Sequence, residues 1–286
     1  MSTARRLFGR DHALIGMVHL RALPGSPGSF DSVDEIADAA GAEAKVLASA
    51  GFDAIIVENM HDAPYVHGGH GPEIAAAMTR AALAVREAAP KLPLGVQVLS
   101  GGNREALAVA LAAGGTFIRC ENFVFSHVAD EGLLATAEAG PLLRYRRSIG
   151  AGEIAVLCDV KKKHASHAIT ADVSIGEAVE AAEFFGAGGV IVTGTATGKP
   201  TDVDDLAEAR RATRLPVLVG SGVTPEQLPA LFESADAVIV GSWIKRGGKW
   251  SNGVDSARCA AMVKAANRAR GSRKMPSRGA AARRSK

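Results

Sequence analysis

Short apolar runs alternate with longer amphipathic stretches along most of the chain. The runs are rich in β-branched residues, which is typical of buried strands, and the stretches between them have one apolar face at the period of a helix. The pattern predicts eight strands, at 14–19, 54–59, 93–98, 116–121, 153–160, 189–194, 215–220 and 236–241. It predicts eight helices, at 33–50, 72–88, 104–113, 138–149, 174–186, 203–213, 225–233 and 254–268.

The strict alternation of strand and helix is typical of a parallel sheet with crossover helices, which is an α/β protein. Eight units without a long structureless insertion predict a closed (β/α)8 TIM barrel, although a doubly wound open sheet gives similar local patterns. The chain has 286 residues and such a barrel needs about 250. We therefore expect a single barrel over residues 1–268 and a basic, disordered tail over 269–286.

Composition and charge limit the type of packing, the partners and the cellular location that we expect for the protein. Hydrophobic residues make up 47% of the chain but aromatic residues only 5%, which suits close packing of helices on a sheet. Eight of the 33 Lys and Arg residues follow Asn267, so the body of the chain is acidic and no specific nucleic-acid partner is expected. Three widely spaced cysteines, and no apolar stretch long enough to span a bilayer, predict a cytoplasmic protein without membrane insertion.

Polar residues end most of the predicted strands. In a (β/α)8 barrel the active site lies at the carboxyl ends of the strands, and polar groups buried there without partners would cost free energy. Their number predicts a hydrated functional cavity. The strand-end candidates are His19, Glu58, Asn59, Gln97, Arg119, Glu121, Asp159, Lys161, Lys163, Thr193, Ser221 and Ser242.

Two glycine-containing loops follow the seventh and eighth predicted strands. Residues Gly220, Ser221 and Gly222 and the pair Gly241–Ser242 allow backbone N–H groups to approach an anion, so we predict a phosphate site here. Thr224 and Pro225 are expected to begin the next helix. A third Gly- and Thr-rich loop, 194–200, is expected to add donors or to close over the ligand, although glycines in all these loops also serve tight turns.

The charged residues have mixed signs and suggest several roles. Glu58, Glu121 and Asp159 are candidate acids, bases or ligands of a divalent metal, and His19 is a candidate acid or base. Arg119, Lys161 and Lys163 are candidates for stabilising an enolate or oxyanion, with salt bridging and a Schiff base as alternatives for the lysines. Strand parity predicts that Asp159, Lys161 and Lys163 point into the barrel and that Lys162 points out. The predicted substrate contacts are Asn59, Gln97, His164, Thr193 and Gly194.

A long loop after the second strand contains several histidines. Its residues His61, His67 and His70, with Asp62 and Glu73, match no recognised metal motif. A lid that hydrogen-bonds substrate and a metal site both remain open for this loop, and His164 and His167 could join either. No cofactor is predicted with certainty, and a divalent metal stays an alternative.

Several separate segments, in one order, resemble the BtpA/SgcQ family. They are IGMVHLRALPGSPG, GFDAIIVENMHDAPY, FIRCENF, CDVKKKHASH, VGSGVTPEQ and DAVIVGSWIKRGGKW, and the resemblance runs over residues 14–262. It implies a barrel of the ribulose-phosphate-binding type, similar to phosphoribosylanthranilate isomerase. The family takes its name from a cyanobacterial factor of photosystem I biogenesis, and other members resemble components of sugar-utilisation operons.

These features together predict an enzyme acting on a phosphorylated sugar or ribosyl metabolite by isomerisation or by lyase or aldolase-type chemistry. Its partner would be a phosphorylated small molecule, and the outer helices permit a homo-oligomer. One alternative is cleavage of the glycosidic bond of a nucleoside or nucleotide. The other is a non-catalytic assembly or regulatory factor that binds a phosphorylated metabolite.

Overall fold

Parallel strands close into an eight-stranded barrel in the computed structural model, which describes residues 1–194 and 201–272. Around the barrel the order is β1-β2-β3-β4-β7-β9-β10-β11, and β11 pairs with β1. Numbered along the chain, the strands are β1 Ala13–His19, β2 Ala54–Glu58, β3 Leu94–Gln97, β4 Phe117–Cys120, β5 His127–Ala129, β6 Gly132–Leu134, β7 Ala155–Val160, β8 Ala165–Ser166, β9 Gly189–Thr193, β10 Val217–Gly220 and β11 Ala237–Val240. The predicted TIM barrel is confirmed.

Helices surround the barrel; all but the first follow barrel strands, and the first precedes β1. They are α1 Thr3–Phe8, α2 Val33–Ala50, α3 Pro72–Ala88, α4 Asn103–Ala112, α5 Ala139–Ser148, α6 Ile175–Phe184, α7 Val203–Ala212, α8 Leu228–Ser234 and α9 Ser256–Ser272. Local chemistry fixes their ends. Ser32 and Glu35 form a capping box at the start of α2, and Gly51 ends the helix with φ +96°, a left-handed conformation that glycine adopts without strain.

Two helix ends differ from the sequence prediction. Thr224 and Pro225 do not begin α8, because residues 224–227 form a turn in which Gln227 Oε1 accepts from the Thr224 amide at 2.9 Å. The last helix, α9, extends beyond the predicted end of the barrel at 268 and reaches Ser272. The loop residues 195–200 and most of the predicted tail, 273–286, lie outside the described residues.

The barrel interior begins with an apolar layer at the amino ends of the strands. Phe117 fills its centre, and a Cβ on Gly95 would lie 2.2 Å from that ring, so only glycine fits there. From below, Phe8 of α1 contacts Phe117 edge to face, with the ring centroids 5.4 Å apart. The other members of the layer are Ala13, Ile15, Met17, Ala54, Ile56, Leu157, Ile191, Leu218, Ala237 and Ile239. Helix α1, which the pattern did not predict, thus closes the amino end of the barrel.

A small antiparallel sheet covers part of the opposite end. Strands β5 and β6 form a hairpin between β4 and α5, and β5 also pairs with β8, which follows β7. The sequence pattern missed all three strands because they are only two or three residues long. None of the described helices combines the length and the apolar character that crossing a bilayer requires.

Candidate functional site

The carboxyl ends of the barrel strands surround an open cavity of about 270 Å³. Because side chains alternate along a strand, the residue two positions beyond an apolar interior residue also faces inward. Met17 is followed in this way by His19, and Ile56 by Glu58. The predicted site residues that line the cavity are His19, Glu58, Gln97, Arg119, Glu121, Asp159, Lys163, His164, Ser221, Gly222, Gly241 and Ser242. Most of the candidate site is therefore brought together.

His19 and Glu58 are register partners on β1 and β2 and form a buried pair. His19 Nε2 lies 3.4 Å from Glu58 Oε2. Burial lowers the pKa of His19 to about 3, with a further contribution from the charge of Lys245, and burial raises the pKa of Glu58 above its ordinary value. Both shifts favour the neutral forms at physiological pH.

The backbone determines which nitrogen of His19 carries the proton. His19 Nδ1 lies 3.0 Å from the carbonyl oxygen of Trp250, and because a carbonyl only accepts, Nδ1 is the donor. The neutral ring then presents the lone pair of Nε2 to Glu58. Nε2 thus faces Glu58 Oε2 as the acceptor, and the raised pKa of Glu58 favours the carboxyl form that can donate to it.

The segment that supplies the Trp250 carbonyl is anchored at both ends by Glu43 of α2. Glu43 Oε2 accepts from the fully buried ammonium of Lys245 at 2.7 Å, and Glu43 Oε1 accepts from the amide of Val254 at 2.9 Å. Lys245 and Val254 also pair as an isolated antiparallel bridge. This anchor behind β11 fixes the loop that holds His19.

Arg119 and Asp159 form a two-pronged ion pair on β4 and β7. Arg119 Nε and Nη2 each donate to the Asp159 carboxylate at 2.9 Å, and both residues are buried. Burial alone would lower the pKa of Arg119, but the charge and hydrogen bonds of Asp159 outweigh it and raise that pKa. Arg119 is therefore a fixed cation in the cavity wall, and its third nitrogen, Nη1, is engaged by no described residue.

A second ion pair joins Glu121 to Lys162, and it corrects the prediction made for the lysines after β7. Lys162 Nζ donates to Glu121 Oε1 at 3.1 Å and lines the cavity, whereas Lys161 does not line it. The strand ends at Val160 and Lys161 has φ +45°, so the alternation assumed for Lys161 and Lys163 stops before it reaches them. Lys162, expected to point outward, is only 8% exposed.

The glycine loops after β10 and β11 form one wall of the cavity. Ser221, with φ +74°, and Gly222, with φ +66°, line it together with Gly241 and Ser242. Lys163 reaches the same wall, and its ammonium donates to Ser221 Oγ at 3.3 Å. Gly220 lies below the wall and does not line the cavity, because it is still within β10. Backbone, hydroxyl and ammonium groups thus meet on one side.

Gly241 brings this wall directly against the His19–Glu58 pair. A Cβ on Gly241 would lie 3.2 Å from His19 Nε2, since β11 and β1 are neighbours in the closed barrel. The predicted phosphate wall and the acid–base pair are therefore adjacent, and do not face each other across the mouth.

Three other predicted substrate contacts do not line the cavity. Asn59 is fully used by the protein: its amide nitrogen donates to Asp62 Oδ2 at 2.8 Å and to the Leu99 carbonyl at 3.0 Å, and its amide oxygen accepts from the Leu99 amide at 2.6 Å. Thr193 Oγ1 accepts from the Lys163 amide at 2.9 Å. Gly194, which follows Thr193, is also outside the lining. Asn59 and Thr193 hold the loops that carry the site.

Gln97 differs from Asn59, because its amide is available. The side chain is 2% exposed and lines the cavity, and Oε1 is buried without a hydrogen-bond partner among the described residues. A buried polar atom without a partner costs free energy, so a ligand that hydrogen-bonds it would recover that loss. Gln97 is the register partner of Glu58 and therefore stands beside the acid–base pair.

The hairpin of β5 and β6 adds lining residues that the sequence did not reveal. Its tip, Asp130–Glu131, lies at the cavity, as do Tyr65 and Trp250 from other loops. Nothing in the pattern distinguished Asp130 and Glu131 from other exposed acids, since their position depends on pairing between β5 and the distant β8.

The histidine-rich loop after β2 packs against neighbouring loops. His61 Nδ1 lies 2.6 Å from the Leu20 carbonyl, and His70 Nε2 lies 3.3 Å from the Ser100 carbonyl. In the described part of the chain, no three His, Cys, Asp or Glu side chains are grouped to hold a metal ion. His61 and His70 therefore hold the chain in place, and Met60 and Tyr65 are the members of the loop that line the cavity.

Comparison with known sequences identifies relatives along most of the chain. The model of the BtpA family matches residues 10–268. An uncharacterized mitochondrial protein of Caenorhabditis elegans is 44% identical, covering 89% of this chain and 92% of the relative. The photosystem I biogenesis protein BtpA of Synechocystis sp. is 34% identical, covering 90% of this chain and 89% of the relative. Since one relative is named mitochondrial, the cytoplasmic location stays a prediction.

Solved structures confirm the barrel type. The (S)-3-O-geranylgeranylglyceryl phosphate synthase of Thermoplasma acidophilum, in complex with sn-glycerol-1-phosphate, superposes with a TM-score of 0.58 at 16% identity, over 94% of this chain and 99% of that one. The N-(5'-phosphoribosyl)anthranilate isomerase of Pyrococcus furiosus gives 0.52 at 13% identity, over 90% and 100%. The predicted similarity to that isomerase is confirmed, and at these identities it concerns the fold.

Proposed function

The chain belongs to the BtpA family, and on that premise we propose that it is an enzyme acting on a phosphorylated sugar or ribosyl compound, with isomerase or lyase chemistry. The observation that carries the proposal is the contact between two parts of one cavity. A wall of glycine loops, suited to a phosphate, adjoins a buried acid–base pair. The structural neighbours, which include enzymes of phosphate-bearing substrates, support the same substrate class.

The phosphate would be held by the loops after β10 and β11. Backbone N–H groups near Gly222 and Ser242, the Ser221 hydroxyl and the Lys163 ammonium offer donors to its oxygens. Because Gly241 adjoins His19, a phosphate bound at this wall would bring the nearest carbons of its ester to the His19–Glu58 pair. The reacting carbon is thus expected close to the phosphate.

The acid–base pair can exchange protons with such a substrate. One member accepts a proton from a carbon next to a carbonyl, the other gives a proton to the neighbouring carbon or oxygen, and transfer of a proton between His19 and Glu58 then restores the starting state. Enolate charge formed between these steps would be stabilised by Arg119, whose orientation Asp159 fixes. In a lyase the same enolate would form by cleavage of a carbon–carbon bond.

A direct test combines ligand binding with proton exchange. A panel of sugar phosphates is screened by thermal shift, and stabilising members are incubated in D2O while exchange at carbon is followed by NMR. We expect selective stabilisation and exchange in the wild type. Glu58→Gln should keep the stabilisation and lose the exchange, and Gly222→Asp should lose both because a carboxylate replaces the space for phosphate.

Gly150→Asp is the matched control, since Gly150 also has a positive φ, +73°, and is exposed with open space around it at the opposite end of the barrel. It should behave as the wild type. A panel without any stabilising phosphate ester would contradict the proposal.

A non-catalytic role is the competing candidate, because the Synechocystis relative is named a biogenesis protein. A barrel that only senses a phosphorylated metabolite would bind without exchanging protons. Stabilisation without carbon exchange, and full cellular function of Glu58→Gln, would favour that role over catalysis.

A further inference from the structure

We propose that the part of the substrate beyond the phosphate is a neutral hydroxylated chain without a carboxylate, an inference that rests on the proposed function. The charges and hydrogen-bonding groups in the rest of the cavity support it. They differ from those of the phosphate wall.

Two of the three Lys and Arg side chains among the described lining residues are already paired with carboxylates of the protein. Arg119 presents its two-pronged edge to Asp159, the geometry by which arginine recognises carboxylates. Lys162 is also paired with a carboxylate, that of Glu121, through a single hydrogen bond. Lys163 lies with Ser221 at the phosphate wall. A second anionic group of the ligand would have to break one of the buried pairs.

Acidic side chains outnumber Lys and Arg around the cavity. Among the described lining residues there are five acids, Glu58, Glu121, Asp130, Glu131 and Asp159, against three bases, Arg119, Lys162 and Lys163. Two of these acids, Asp130 and Glu131, lie at the tip of the β5–β6 hairpin, on the side of the cavity that the small antiparallel sheet covers. A carboxylate there would meet like charge, whereas hydroxyl groups can donate hydrogen bonds to carboxylates.

Gln97 supplies the specific contact. Its buried amide oxygen lacks a partner among the described residues and accepts, while its amide nitrogen donates. A hydroxyl group can do both in return, but a carboxylate can only accept. Because Gln97 stands beside Glu58 in the ladder, we expect a hydroxyl next to the reacting carbon to bind it.

The test uses pairs of phosphate esters that differ only in a terminal CH2OH or carboxylate. Glycerol 3-phosphate is compared with 3-phosphoglycerate, erythritol 4-phosphate with 4-phosphoerythronate, ribitol 5-phosphate with 5-phosphoribonate, and sorbitol 6-phosphate with 6-phosphogluconate, by calorimetry on the full chain. At the length that binds best, the polyol should bind roughly 100-fold tighter than its acid. Equal or tighter binding of the acid overturns this inference while leaving the proposed function standing. Absence of binding in both series overturns both.

Two variants make the result specific. Gln97→Met keeps the size of the side chain and removes its hydrogen bonds, so both members of each pair should bind about 10-fold more weakly, because both carry the hydroxyl groups between the phosphate and the terminal carbon. The double variant Asp130→Asn with Glu131→Gln should strengthen binding of the acid more than that of the polyol. Glu153→Gln, on an exposed residue at the other end of the barrel, is the control. Gln97→Met that folds normally and keeps the wild-type affinity for both members of a pair would contradict the role of Gln97.

Discussion

The two layers of the barrel interior are built by the same strands but obey different rules. On β7, Leu157 belongs to the apolar layer and Asp159, two residues later, to the polar layer. On β4, Phe117 and Arg119 have the same relation. The lower layer stabilises the fold by burial, whereas the upper layer keeps buried charges that only their partners make tolerable. Residues of both layers therefore point into the barrel, and the interior changes from apolar to charged between one inward-facing residue and the next on the same strand.

The largest effect should come from unpairing the upper layer. Asp159→Ala leaves the buried guanidinium of Arg119 without its carboxylate and should reduce the free energy of unfolding by about 3–5 kcal/mol. Leu157→Ala, the control one step below, should cost about 2–5 kcal/mol through its cavity. Urea denaturation measures both.

A double variant tests whether the stability lost in Asp159→Ala comes from the unpaired charge of Arg119. Replacing both partners, Arg119→Met with Asp159→Leu, should restore most of the lost stability, because no unpaired charge remains. It should nevertheless abolish proton exchange. If the double variant is no more stable than Asp159→Ala, the upper layer contributes to folding as the lower layer does, and the distinction fails.

The second prediction concerns the stability of the folded protein at acidic pH. An unfolded chain protonates His19 below its ordinary pKa of 6.5, but the folded protein resists protonation until about pH 3. The stability associated with neutral His19 is therefore complete above pH 6.5 and is lost as the pH falls toward 3. By pH 5 the wild type should lose about 2 kcal/mol more than His19→Asn, which keeps a donor for the Trp250 carbonyl.

Stability curves of both proteins at several pH values measure this difference. His127, whose pKa burial lowers to about 4, titrates in both proteins and cancels. Parallel curves for the two proteins would show that His19 does not resist protonation.

A smaller effect is expected where the glycine wall meets the acid–base pair. The methyl group of Gly241→Ala would lie 3.2 Å from His19 Nε2 and push the ring from Glu58. We expect a loss of about 1–2 kcal/mol in stability and a larger relative loss of proton exchange than of phosphate-ester binding. Gly152→Ala, with open space around it, should change neither. If proton exchange is unchanged in Gly241→Ala, the glycine wall and the His19–Glu58 pair do not depend on each other.

The smallest effect should have the opposite sign. Ser221 has φ +74°, which costs a serine more than a glycine, so Ser221→Gly should stabilise the protein by less than about 1 kcal/mol. The same change removes the hydroxyl that meets Lys163, so affinity for phosphate esters should fall. Thermal unfolding with and without ligand measures both. A variant that is less stable would indicate that the hydroxyl contributes more than the strain.

The sequence predicted the fold and the inward residues well because both depend on local period. Alternation from Met17 to His19 and from Leu157 to Asp159 is set by the strand itself, and eight repeated units left few topologies. The same reasoning failed at Lys161 and Lys162, because the strand had already ended at Val160 and Lys161 has a left-handed backbone.

Other parts of the site depend on contacts between distant segments, which periodicity does not describe. The pairing of β5 with β8 brings Asp130 and Glu131 to the cavity, and strands this short carry no pattern. Asn59 and Gln97 are both amides at strand ends, yet only the structure shows that Asn59 is consumed by Asp62 and Leu99. The sequence identified polar groups that line the cavity but could not assign their partners.

The hydrogen bond from His19 to the carbonyl of Trp250 has a consequence for how the protein can vary. The bond uses the backbone, so in principle any residue at position 250 could make it. An insertion or deletion between Lys245 and Val254 would instead move the carbonyl, because Glu43 holds both ends of the segment. The length of this loop is thus constrained more strongly than its composition, and homologues that retain the acid–base pair are expected to conserve its residue count.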